Sequence, residues 1–223
     1  MISVRHLTFG FVDRPIFDDL SLDLPECGLV AVTGANGVGK TTLLRVLGGI
    51  YRSGTEVSTT SGLPARAVYL DDEFLTLDTL TVGEVLALLA AELPGLAADR
   101  LVDHPLVTDT MRGSAVGTLS LGQRQRCVVA VASSLTGADA VLLDEPFNAL
   151  DADGVSLARH ELADLARSRP VLFATHMSAD IDDFAHHVLR IGGPAGPELV
   201  PTGRRALAAV EAAVKGGVAT WQS

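Results

Sequence analysis

Cysteine is almost missing from this chain, and the scarcity is informative. Cys27 and Cys127 are the two cysteines in 223 residues; their spacing fits neither a metal site nor a redox pair, so two reduced thiols in a cytoplasmic protein are expected. Long hydrophobic runs are missing too. A run such as "VLALLAAEL" from Val85 falls far short of the ~20 apolar residues that span a bilayer. The opening "MISVRHLTFG" has no continuous apolar segment behind its charges and does not resemble a secretory signal. Basic charge is in deficit: 17 Lys and Arg against 27 Asp and Glu leave a formal net charge of −10, which argues against a general nucleic-acid binder. No internal repeat is visible. With 48% hydrophobic and 20% charged residues, no stretch is disordered by composition. A soluble globular protein with enough chain for a buried core is what these absences leave.

What is present is an alternation of short apolar runs with longer helical patterns. "LVAVT" (29–33), "AVYL" (67–70), "AVLLD" (140–144) and "VLFAT" (171–175) read as strands buried on both faces. Helices are expected over 40–47, 81–93, 120–134 and 154–166, which gives an α/β domain with a mainly parallel sheet. Ahead of it, "ISVRHLTF" and "LSLDL" flank the turn-like "VDRP" and suggest antiparallel N-terminal strands. No strand pattern appears from Glu73 to about Gly117. A capping box of Thr81 and Glu84 opens a Leu- and Ala-rich helix there, so an inserted helical subdomain over 73–118 is expected between core segments 1–72 and 119–191. Residues 192–223 read as a tail: a proline-bearing loop, then a short helix from Thr202.

"GANGVGKTT" starts at Gly34, directly after one strand and directly before a helix. It satisfies G-x-x-x-x-G-K-[ST] in the setting that gives the pattern meaning. Gly34, Gly37 and Gly39 let the backbone form a nest of N–H groups for anionic oxygens, and the helix N-terminus adds its dipole. Lys40 brings a charge to the β- and γ-phosphates, and the Thr41 hydroxyl can hold Mg²⁺. Gly34, Ala35, Asn36, Gly37, Val38, Gly39, Lys40, Thr41 and Thr42 are therefore the expected nucleoside triphosphate cradle. Downstream, the run "AVLL" carries Asp144 and Glu145 to a strand's C-terminal end, where ligands sit in open parallel sheets. Asp144 suits the Mg²⁺ shell, and Glu145 suits a general base on the attacking water. His176 closes the next strand, within reach of a γ-phosphate oxygen if that strand neighbours the one bearing Glu145.

"TLSLGQRQR" (118–126) starts another helix with a capping box, Ser120 and Gln123, yet carries Gly122 in the first turn, where glycine weakens a helix. Either that glycine is a tolerated flaw, or something approaches the backbone closely there.

Taken together, these residues resemble the ATP-binding cassette (ABC) ATPases over about 2–191. "GANGVGKTT" resembles the Walker A motif, "AVLLDEP" the Walker B, "NALD" (148–151) the D-loop and "LSLGQ" the signature, with His176 as the switch histidine. The resemblance implies a P-loop ATPase that binds ATP and Mg²⁺ and dimerises head-to-tail around two ATP molecules, homodimer or paired with a related chain. Ser120, Gly122 and Gln123 would meet the γ-phosphate held by the partner, and Asp151 would cross the interface. Phe11 falls where an aromatic stacks on adenine, though it equally suits a packed strand aromatic. Two positions depart from the pattern: Leu121 stands at the signature's usual first glycine, and Asp72 at the Q-loop glutamine, where it would join the metal shell. The implied function is the ATPase subunit of a transporter, peripheral to the inner membrane face and touching the membrane only through separate permease subunits. These would dock near an apolar edge of Phe74, Leu75 and Leu77. The compact chain is more similar to small exporters, including haem exporters, than to sugar importers. A soluble ABC-type ATPase of the iron–sulfur-assembly kind, and a low-turnover nucleotide sensor, are the alternatives.

Overall fold

The computed structural model describes residues 2–11, 14–51, 57–58, 63–93, 95–193 and 196–202. Strands β1 (Ile2–Phe11) and β2 (Arg14–Leu24) form the antiparallel pair that the N-terminal alternation suggested. Alternation is not strict, because Val4, Leu7 and Phe9 are the buried residues of β1. A register shift between Val4 and Leu7, with His6 at φ 53 opposite Asp19 at φ 57, changes which parity faces the core, as a bulge does.

The chain continues through β3 (Gly28–Thr33), α1 (Lys40–Leu47), β4 (Val57–Ser58), β5 (Ala67–Leu70), α2 (Val82–Glu92), α3 (Ala98–Val102), α4 (Asp109–Gly113) and α5 (Leu121–Ser133). It then passes through β6 (Ala140–Asp144), α6 (Ala152–Leu165), β7 (Pro170–Ala174), α7 (Ser178–Asp182), β8 (His187–Arg190) and β9 (Glu198–Pro201). Strand β4 pairs with β1, while the main sheet runs β5-β6-β7-β3-β8-β9. Its first five strands are parallel and β9 is antiparallel to β8.

Each central strand is apolar on both faces because each face is covered. Leu29 and Ala31 pack on the side of α5 and α6, and Val30 and Val32 on the side of α1 and the N-terminal strands. Helices α2 to α4 bring Val85, Leu86, Leu101 and Met111 into the same apolar layer as α5 and α6. The box at Thr81 and Glu84 caps α2 as its spacing implied, and no strand lies between β5 and β6 among the described residues.

One expectation fails at the end of the chain. The proline-bearing stretch read as loop contains β9, which follows Pro197 and ends on Pro201. Proline suits the edge of a sheet, where the missing N–H is not needed by a neighbour, so proline content alone was a poor guide. The helix expected from Thr202 lies outside the described residues.

Candidate nucleotide site

Strands β3, β6 and β7 are adjacent and parallel, so their C-terminal ends lie side by side and gather residues from distant parts of the sequence. From β3 the chain enters the glycine-rich loop, with Gly34 to Gly37 exposed. Gly39 is the N-cap of α1 at φ 107, a left-handed conformation that side chains resist. A Cβ there would also lie 2.7 Å from Ile16 Cγ2. Helix α1 starts without a side-chain cap and without an acidic residue in its first turn, so its free N–H groups and dipole favour an anion. Lys40 Nζ donates to the carbonyls of Gly34 (3.0 Å) and Ala35 (3.3 Å), holding the ammonium against the loop. Phe11 is 43% exposed and packs edge-on to Phe9 and Tyr51, at 5.2 and 5.8 Å between ring centroids. It is therefore packed on one side and open on the other. Its neighbour in the hairpin, Arg14, donates to the Gly37 carbonyl.

Asp144 ends β6 and accepts a hydrogen bond from Thr41 Oγ1 at 2.7 Å. A hydroxyl and a carboxylate brought together are hard oxygen donors suited to Mg²⁺ shared with phosphate oxygens. Among the described residues no hydrogen bond links Asp72 to them, whereas its neighbour Asp71 is linked to Asp144 through Tyr69: Asp71 Oδ2 accepts from Tyr69 Oη at 3.0 Å and Arg45 Nη2 at 3.2 Å, and Tyr69 Oη lies 3.4 Å from Asp144 Oδ2. The reason is strand alternation: Tyr69 of β5 and Asp71, the residue just past its end, fall on one side while Leu70 turns to the other. Burial, then the charges of Asp144 and Asp71, push the Tyr69 phenol well above its ordinary range, so it remains a donor. Tyr69, Asp71 and Arg45 were not singled out in the sequence; the period-two pattern of "AVYLD" was the signal available.

Glu145 and His176 meet as their strand ends predict. His176 Nδ1 lies 3.0 and 3.1 Å from the two carboxylate oxygens of Glu145. The bond to Glu145, and then its charge, raise the His176 pKa. The turn that carries His176 is braced from below. Thr175 Oγ1 donates to the buried Asp180 (2.8 Å) and accepts from the Met177 N–H, and Asp180 is paired with Arg159 at 2.7 Å.

The helix start at Ser120 holds both halves of its capping box. Gly122 now has a reason within the chain itself: a Cβ at this position would lie 2.3 Å from the Ala149 carbonyl oxygen. Within the chain itself, the close neighbour of this glycine is the segment 148–151. Asp151 caps α6 by accepting from the Gly154 N–H at 2.9 Å and pairs with Arg126 at 2.7 Å. These two interactions, in that order, lower its pKa.

The family model of the ABC transporter matches residues 17–148. The chain belongs to the ABC transporter ATP-binding family. This ABC ATPase is 36% identical over 193 residues to an aliphatic sulfonates import ATP-binding protein of Paracoccus denitrificans, covering 82% of this chain and 74% of that one. It is 35% identical over 176 residues to a cytochrome c biogenesis ATP-binding export protein of Zymomonas mobilis, covering 77% and 76%. Among solved structures it is similar to an ATP-binding subunit of an ABC transporter, with a TM-score of 0.70 at 20% identity over 84% of each chain. Relatives of comparable similarity thus serve import and export, so the exporter-like compactness does not discriminate. The apolar edge expected to meet a permease is divided: Leu75 is buried, Phe74 is partly buried against the core, and Leu77 is 48% exposed. No helix among the described residues is long and apolar enough to cross a membrane.

Proposed function

We propose that this ABC ATPase hydrolyses ATP between two head-to-tail chains and so drives separate transmembrane permease subunits, working peripherally at the cytoplasmic membrane face. In each site the loop 34–42 receives the triphosphate on its N–H groups, with Lys40 swinging from the Gly34 and Ala35 carbonyls onto the β- and γ-phosphates. Thr41 and Asp144 would hold Mg²⁺, which supplies charge neutralisation at the phosphates. Glu145 accepts a proton from the attacking water, and His176 holds the Glu145 carboxylate in place and donates to the γ-phosphate. The γ-phosphorus–oxygen bond to ADP breaks as the bond to the water oxygen forms, leaving ADP and phosphate. The start of α5 offers Ser120, Gly122 and Gln123 to the partner's nucleotide, and Asp151 of the adjoining 148–151 segment lies at the interface between the two chains.

The observation that carries this reading is the pairing of Glu145 with His176 at the ends of adjacent strands, beside the loop that follows β3. Glu145→Gln tests it. Turnover should fall by about 100-fold or more while ATP still binds, and a closed ATP-bound dimer should accumulate on size-exclusion chromatography with Mg-ATP. Wild-type turnover in this variant would remove Glu145 from the role.

A further inference from the structure

Gln125 lies on α5, one turn beyond Gly122, and is 2% exposed. Its Nε2 donates to the main-chain carbonyl of Glu145 at 3.2 Å. Its Oε1 is buried and, among the described residues, accepts no hydrogen bond. Burying an amide with one half unsatisfied is costly, and an apolar side chain of the same length avoids that cost. What the amide provides that methionine cannot is the N–H on Glu145.

Glu145 has a use for it. Its φ is 46, in the left-handed region where residues with a Cβ persist only when their surroundings fix them. The surroundings do so on both sides. The Glu145 N–H donates to the Ala174 carbonyl at 3.1 Å, and its carbonyl accepts from the Asn148 N–H at 3.0 Å as well as from Gln125. The first two bonds come from the strand ladder and the following turn; the third is the only one of them supplied by a side chain.

We propose that Gln125 is a positioning residue for the general base: its amide N–H on the Glu145 carbonyl holds the left-handed bend that presents the Glu145 carboxylate to His176 and to water. This rests on the assignment of Glu145 made above. Helix α5 meets the segment from Glu145 to Asp151 through Gln125 on Glu145, Gly122 under Ala149 and Arg126 on Asp151, among other contacts. Of these three, Gln125 is the one that bonds to Glu145 itself.

Gln125→Met removes the N–H and the unpaired oxygen together while keeping the volume. Expected are a kcat lower by about tenfold to a hundredfold, an unchanged KM for ATP, and a Tm equal to or above wild type. Gln125→Leu, which also lacks the N–H and stays apolar, should show the same split between kcat and KM. In a Glu145→Gln background, Gln125→Met should cost no further turnover in single-turnover assays, because it acts through a base already removed. Wild-type kcat in the folded variants, additive losses in the double variant, or unfolding of either single variant would each overturn the proposal. Wild-type kcat in Glu145→Gln alone would instead overturn the assignment beneath it.

Discussion

Helix α1 starts on Gly39 with no side chain capping it, whereas α5 starts on a closed capping box in which Ser120 and Gln123 each satisfy the other's backbone N–H. The contrast separates a helix start kept open for a ligand from one that is stable by itself. At α1 no side chain among the described residues caps the first-turn N–H groups, which suits them to an anion. At α5 the box satisfies the N-cap and third-position donors within the helix itself. Their glycines differ in the same sense. Gly39 is needed for a backbone conformation, and Gly122 for a close contact with the chain's own Ala149 carbonyl.

Changing the open start should have the largest effect, and on binding alone. Lys40→Ala removes the charge aimed at the phosphates but no core contact, so ATP affinity should collapse in calorimetry while Tm stays near wild type. Tight ATP binding by this variant would close the gap between the two helix starts and remove the cradle assignment.

Gly122→Ala should act in the opposite way. A Cβ 2.3 Å from the Ala149 oxygen forces α5 and the 148–151 segment apart, at a cost of about 1–3 kcal/mol. Thermal unfolding should show Tm lower by roughly 2–4 °C per kcal/mol, with ATP affinity of the isolated chain retained and turnover reduced. An unchanged Tm would mean that the two segments are not in close contact in solution.

Ser120→Ala should be milder still. Losing the cap costs about 1 kcal/mol, readable as a small drop in Tm, because α5 remains anchored by the buried Cys127, Val128 and Val131. A loss as large as that at Gly122 would show that the box does more than cap.

The smallest effect belongs to the pair between these helix starts. With its pKa raised by Glu145, His176 should stay protonated to a higher pH than an ordinary histidine. Any stability that the charged pair contributes is present below the ordinary histidine pKa and is lost as pH rises through the raised one. NMR titration of the His176 ring should show the raised value in wild type and a return toward the ordinary range in Glu145→Gln. Identical titration curves would mean that the two side chains are not paired in solution.

Much of this arrangement was legible before any coordinates. The run "LVAVTGANGVGKTT" placed a strand, a glycine-rich turn and a helix correctly, because apolar length, glycine spacing and the following helical pattern agree locally. The boxes at Thr81 and Ser120 were equally legible, since three-residue spacing is a property of the helix itself. Two adjacent acids look alike in a sequence, and only the alternation through the end of β5 shows that it is Asp71 that shares the Tyr69 hydroxyl with Asp144. Strand β9 was missed because a four-residue edge strand preceded by Pro197 and ending on Pro201 carries almost no periodic signal.

The sequence by itself determined which residues are chemically equipped for phosphate, metal and water, and which helices carry their own caps, because both depend on residue type and near-neighbour spacing. Tertiary structure decided who meets whom. It set His176 against Glu145 by placing β7 beside β6, linked Asp71 to Asp144 through Tyr69, seated the Ala149 carbonyl over Gly122, and put Gln125 on the Glu145 carbonyl. Each of these joins residues whose separation along the chain says nothing of their distance in space, and only the order of strands in the sheet and the packing of α5 beneath it bring them into contact.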